Sequence, residues 1–167
     1  MSQVIARPVL APRVNRFTWL MGLYAENHQR LQRLFHPDGL AEGRYVSSVG
    51  DGLDLHLDIL AQHAYTTELR LSYAMLDPLT GEPDPSAYVR LYRDTRQAEA
   101  THCYVGRRWQ DAIGLDAAPA VILDHRLRMN TFLGKWLQYL GERGHGVGTL
   151  VRSEGDAASN VISAASA

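Results

Sequence analysis

The sequence predicts an α+β domain: an N-terminal helix, a five-stranded antiparallel meander and a C-terminal helix, with both helices packed on one face of the sheet. Three observations lead there. Apolar residues recur at spacings of three and four near both ends of the chain, over Asn15 to Phe35 and over Asp124 to Glu142. Between these segments the period drops to two, in runs separated by short turn signals. The links are too short for parallel crossovers, which need about a dozen residues or more, so neighbouring strands must pair antiparallel. Helices then gather on one side of such a sheet.

In the first helix Phe17, Leu20, Met21, Tyr24, Leu31, Leu34 and Phe35 fall on one stripe, with Glu26, Gln29, Arg30, Gln32 and Arg33 opposite. Asn15 is the expected N-cap and His36-Pro37-Asp38-Gly39 the stop. Arg44 to Val49 reads as the first strand, ended by Gly50-Asp51-Gly52. Leu53, Leu55, Leu57 and Ile59 then alternate with Asp54, His56 and Asp58, the pattern of a strand with one wet face. Tyr65 to Met75 repeats it. Asp77 to Pro85 holds three prolines and must be a loop. Tyr88 to Arg93 and Gln97 to Tyr104 form the last hairpin, with its turn near Asp94-Thr95-Arg96. In the C-terminal helix Leu127, Asn130, Leu133, Trp136, Leu137 and Leu140 share a face, Asp124 is the expected N-cap and Gly144 the C-cap. Residues 1–13 read as a flexible arm, 14–150 as a single domain and 151–167, rich in Ser, Ala, Gly and Asp, as a disordered tail.

The totals narrow the function classes. With 167 residues, 17 basic against 18 acidic side chains and 46% hydrophobic content, the chain has no charge excess suited to nucleic acid or an anionic membrane. No apolar run approaches the roughly 20 residues a membrane helix needs. One cysteine, Cys103, forms no intramolecular disulfide, and a reducing cytoplasm is the expected setting.

Four blocks carry a resemblance. They are Met21-Gly-Leu-Tyr-Ala-Glu-Asn27 with Leu31-Gln-Arg-Leu34; Tyr65-Thr-Thr67; Val89-Arg-Leu-Tyr-Arg-Asp94 with Ala98-Glu99; and Asn130-Thr-Phe-Leu-Gly-Lys-Trp-Leu137. In this order they resemble the YqiB-like family of proteobacterial proteins, a domain family of unknown function. The resemblance implies no established activity.

Candidate site residues follow from the patterning. Alternation puts Arg90, Tyr92 and Asp94 on one strand face, and the hairpin brings Glu99 opposite one of them. Arg90 suits a phosphate or carboxylate and Tyr92 offers a ring and a hydroxyl; a cross-strand ion pair is the plainer reading. Asn27 and Asn130 interrupt the apolar seams of the two helices, where a buried amide must find partners in a polar network or a ligand. Asp54, His56 and Asp58 share a face, and His63, His102 and the Asp124-His125 pair are further metal-ligand types, but nothing completes a coordination set, so no metal is expected. Cys103, alone within a strand, reads as inert. Gly144-His-Gly-Val-Gly148 follows a helix, whereas a dinucleotide fingerprint follows a strand, so no cofactor is expected.

The expectation is a non-catalytic binding or regulatory module for a small anionic ligand or a protein partner, without nucleic acid or membrane. An enzyme using Asp94 or Glu99 as general base, or a homodimerising interaction module, stand as alternatives.

Overall fold

The computed structural model describes residues 15–50, 52–106 and 117–153. Helix α1 (Arg16–Phe35) is followed by strands β1 (Gly43–Ser47), β2 (Leu55–Gln62), β3 (Thr66–Tyr73), β4 (Ser86–Tyr92) and β5 (Gln97–Tyr104), then helix α2 (Pro119–Glu142) and strand β6 (Leu150–Arg152). The described strands form one six-stranded antiparallel sheet in the order β5-β4-β3-β2-β1-β6.

The meander of five is present, and a sixth strand extends it, a correction to the expected count. Residues 150–152 have no period of their own to read. They pair with β1 through Tyr45–Arg152, Val46–Val151 and Ser47–Leu150, and so carry the fold past the expected domain limit at 150. A polar clasp holds them there. Ser47 Oγ lies 2.7 Å from His145 Nδ1 and 2.6 Å from Thr149 Oγ1, with Ser47 and His145 buried. The N-terminal arm and residues 154–167 of the tail fall outside the described residues.

Asn15 caps α1 as expected, its side chain accepting from the Phe17 N–H at 3.2 Å. The helix ends where His36 turns left-handed, at φ 46°, ahead of a 3-10 turn at Pro37–Gly39. Helix α2 starts earlier than its period suggested. Ala118 is the N-cap and Pro119 the first helical residue, a position where proline's fixed φ and missing N–H cost nothing. Asp124 therefore sits inside the helix, where it pairs with Arg16 at 2.6 Å, and does not cap it. At the other end Gly144 takes φ +95°, and the His145 N–H bonds back to the Leu140 carbonyl at 3.0 Å.

Leu55, Leu57, Leu69, Leu71, Val89 and Leu91 project from one sheet face into a core closed by Leu31 and Phe35 of α1 and Leu133, Leu137 and Leu140 of α2. The first turns of α1 overhang the sheet. There Leu20, Leu23 and Tyr24 pack on Leu127 of α2 in a separate cluster, and Phe17, expected on the stripe, is 55% exposed.

Candidate functional site

The strand face opposite the helices carries a polar lattice set by register. Arg44, Asp58 and Arg70 stand opposite one another on β1, β2 and β3. Asp58 is 6% exposed and accepts from Arg44 Nε at 2.9 Å and from Arg70 Nη2 at 2.7 Å. The same row continues with Arg70 over the Tyr88 ring at 5.8 Å and Tyr88 edge-on to His102 at 6.1 Å. One row along lie Glu68, Arg90 and Glu99.

This lattice gathers three of the residues singled out in the hairpin. Arg90 faces Glu99 in register but pairs with Glu68, at 3.0 Å. Tyr92 donates to Glu99 Oε1 at 2.6 Å. Burial, and then the bond to Glu99, push the Tyr92 hydroxyl above its ordinary pKa. Asp94 is not with them, a correction to the strand alternation. β4 stops at Tyr92, and Asp94 lies in the turn, accepting from the Thr95 N–H at 2.9 Å. Two residues the sequence did not point to extend this set: Tyr24 of α1 lies beside Glu99, and Arg126 of α2 lies beside Tyr24. Burial first, and the Glu99 charge second, push the Tyr24 hydroxyl up to about 12.

Asn27 and Asn130 meet in the seam between the helices, both fully buried. Asn27 Nδ2 donates to the Asn130 carbonyl at 3.0 Å, so Asn27 points at α2 and not at the sheet. Asn130 reaches the sheet instead. Its Oδ1 accepts the Ala100 N–H at 2.7 Å and its Nδ2 donates to the Arg126 carbonyl at 2.8 Å. Since β5 is an edge strand, that amide gives an outward N–H its partner. Gly134 lets the helices close here, because a Cβ on it would stand 2.9 Å from Asn27 Oδ1 and 2.8 Å from Arg30 Nη1.

A second polar knot, unread in the sequence, ties the end of α1 to the sheet. Thr67, fully buried, donates toward Asp38 Oδ1 at 3.0 Å or Gln62 Oε1 at 2.7 Å. Arg93 bonds Gln62 and Thr67 and lies 3.4 Å from Asp38. Gln62 also donates to the Pro37 and Leu40 carbonyls at 2.9 and 2.8 Å. His28 sits nearby with its buried Nε2 unpartnered; burial lowers its pKa, against a raising effect of Asp38. These side chains come from five separate stretches of the chain, so no spacing announces them.

A groove of about 630 Å³ runs between the start of α1 and the middle of α2. Arg16, Trp19, Asp124, Leu127, Arg128, Thr131, Phe132 and Lys135 line it. The Arg16–Asp124 pair bridges one end. Arg128 and Lys135 make no ion pair with any described residue, and Trp19 is 52% exposed beside them. The groove was not legible as such, because its lining comes from two helices far apart in the chain, whose packing against each other no period shows.

Among the described residues no group of three or more His, Cys, Asp or Glu side chains is placed to hold a metal ion. Asp58 of the Asp54-His56-Asp58 set is committed to two arginines, and Asp54 accepts from Ser48 Oγ at 2.6 Å. Burial pushes the Cys103 thiol up to about 12, which suppresses the reactive thiolate. No described helix is long and apolar enough to cross a membrane.

No curated protein and no solved structure matches the chain. A family model does, over residues 30–146, a span that holds the end of α1, strands β1 to β5 and the whole of α2. The chain therefore belongs to DUF1249, a family of proteins of unknown function.

Proposed function

We propose that the protein is a non-catalytic binding module whose ligand is a small anion carrying a flat ring, a nucleotide or an aromatic acid, held in the groove between α1 and α2. The observation that carries this reading is the pairing of Arg128 and Lys135, two cations that form no ion pair with a described residue, with the exposed ring of Trp19 in a concavity of about 630 Å³. Ligand sites commonly fall between about 300 and 1,000 Å³. The cations would hold the acid group and Trp19 would stack on the ring. Arg90, the first choice from the sequence, is a weaker anchor for an anion because Glu68 already occupies it.

A non-catalytic role is favoured by how the carboxylates are engaged. A general base needs a carboxylate free to face a substrate in a cavity. Glu99 instead accepts from Tyr92, and Asp94 caps a turn. We further infer that the YqiB-like proteins of proteobacteria belong to the same family, and that the protein works in the cytoplasm.

A thermal-shift screen against nucleotides, sugar phosphates and aromatic acids tests the reading. A specific ligand at a hundredfold excess over its Kd stabilises the fold by roughly 2.7 kcal/mol. Arg128→Ala with Lys135→Ala should remove the shift, and Arg90→Ala should leave it. No shift with any of these anions, or a shift that survives the double variant, overturns the proposal.

A further inference from the structure

We infer that the open face of the sheet is a self-association surface, and that its occupant is a second copy of this chain. Charge complementarity across the face is fixed by register. One row across the face reads positive, negative, positive, in Arg44, Asp58 and Arg70. The adjoining row reads negative, positive, negative, in Glu68, Arg90 and Glu99. The first row carries one net positive charge and the second one net negative charge.

A two-fold axis lying in the interface, across the strands and midway between the rows, lays each row on the other row of the partner. Strand by strand, Arg70 then meets the partner's Glu68, Tyr88 meets the partner's Arg90, and His102 meets the partner's Glu99. Symmetry makes each contact twice. The first is an ion pair, the second puts a guanidinium on a ring, and the third sets an imidazole against a carboxylate. An axis along β3 would instead bring Arg70 onto the partner's Arg70, so the charge pattern disfavours that orientation.

Access permits the contact. Tyr88 is 40% exposed, and the Arg90 and Glu68 side chains are 44% and 36% exposed. No described element packs over the middle of this face. One end is closed by its own loop, where Tyr104 donates to Asp77 Oδ2 at 2.6 Å. The face is mostly polar, so the dimer is weak and sensitive to salt.

Sedimentation equilibrium at about 0.05 M and about 0.5 M salt tests this. The expected result is a dimer at low salt whose Kd rises roughly tenfold at high salt. Glu68→Arg should give a monomer with an unchanged circular dichroism spectrum. The swap Glu68→Arg with Arg90→Glu rebuilds the ion pair within one chain, yet sets the new arginine against the partner's Arg70, so it should also be monomeric. A monomer at low salt up to about 0.5 mM overturns the inference. So does a dimer indifferent to salt, or one that the swap restores.

Discussion

The helix seam and the open sheet face are both polar, but they use polarity in opposite ways. In the seam Asn27 and Asn130 are fully buried, and Asn130 satisfies three backbone and side-chain bonds that water cannot reach. On the face, Glu68 and Arg90 bond each other with a third or more of each side chain in water. Removing a group from the seam strands its partners, whereas removing one from the face hands its partner to solvent. The seam therefore fixes how the helices dock, whereas the face holds exposed ion pairs that no described helix covers.

The sharpest way to break this comparison is Asn130→Ala. It leaves the Ala100 N–H of the edge strand without its acceptor and removes the amide that donates to the Arg126 carbonyl, while the Asn27 bond to the residue 130 carbonyl stays. The expected loss is about 3 kcal/mol in urea unfolding. A loss under about 1 kcal/mol would mean that water replaces the amide and that the seam is wetter than its burial indicates.

The face itself contains a smaller version of the contrast. Arg70→Ala removes one of two cations from Asp58, a carboxylate only 6% exposed, and should cost about 2 kcal/mol. Arg90→Ala removes the partner of an exposed carboxylate and should cost about 0.5 kcal/mol or less, measured at high salt to keep copies apart. Equal costs would erase the distinction between a buried and a solvated carboxylate on one sheet face.

Much of this was legible because it depends on period. Alternation put Leu55, Leu57, Leu69 and Leu71 in the core and set Tyr92 near Glu99. Both helices showed through their stripes. What could not be read depends on register between distant segments. Arg90 chooses Glu68 over Glu99, and that pairing runs through β3 and β4, joined only by the proline loop at Asp77 to Pro85. Asp94 was misplaced because a strand's last residue has no periodic signature, and the turn began a residue early. The Asp38, Gln62, Thr67 and Arg93 knot has one or two residues on each of several elements, so no window of sequence contains it. Strand β6 is too short to alternate.

Tyr24 joins the two regions and gives the finest test, since it packs in the helix cluster while lying against Glu99. Its pKa is raised from 10.0 to about 12, chiefly by burial. Above pH 10 the unfolded chain releases this proton while the folded chain keeps it. Stability from this group is thus whole below pH 10 and is lost as pH rises toward 12. Cys103, raised from 9.0 to about 12, adds a fall of the same sign, so wild type alone does not isolate either group. Tyr24→Phe keeps the ring and the cysteine and removes only the phenol. At about pH 8 it should cost about 1 kcal/mol for the lost hydroxyl contact. Between about pH 9 and about pH 11 its unfolding free energy should fall less steeply than that of the wild type. Parallel slopes for the two proteins would show that the Tyr24 hydroxyl reaches water, and that the helix cluster is open at the very point where it touches the sheet.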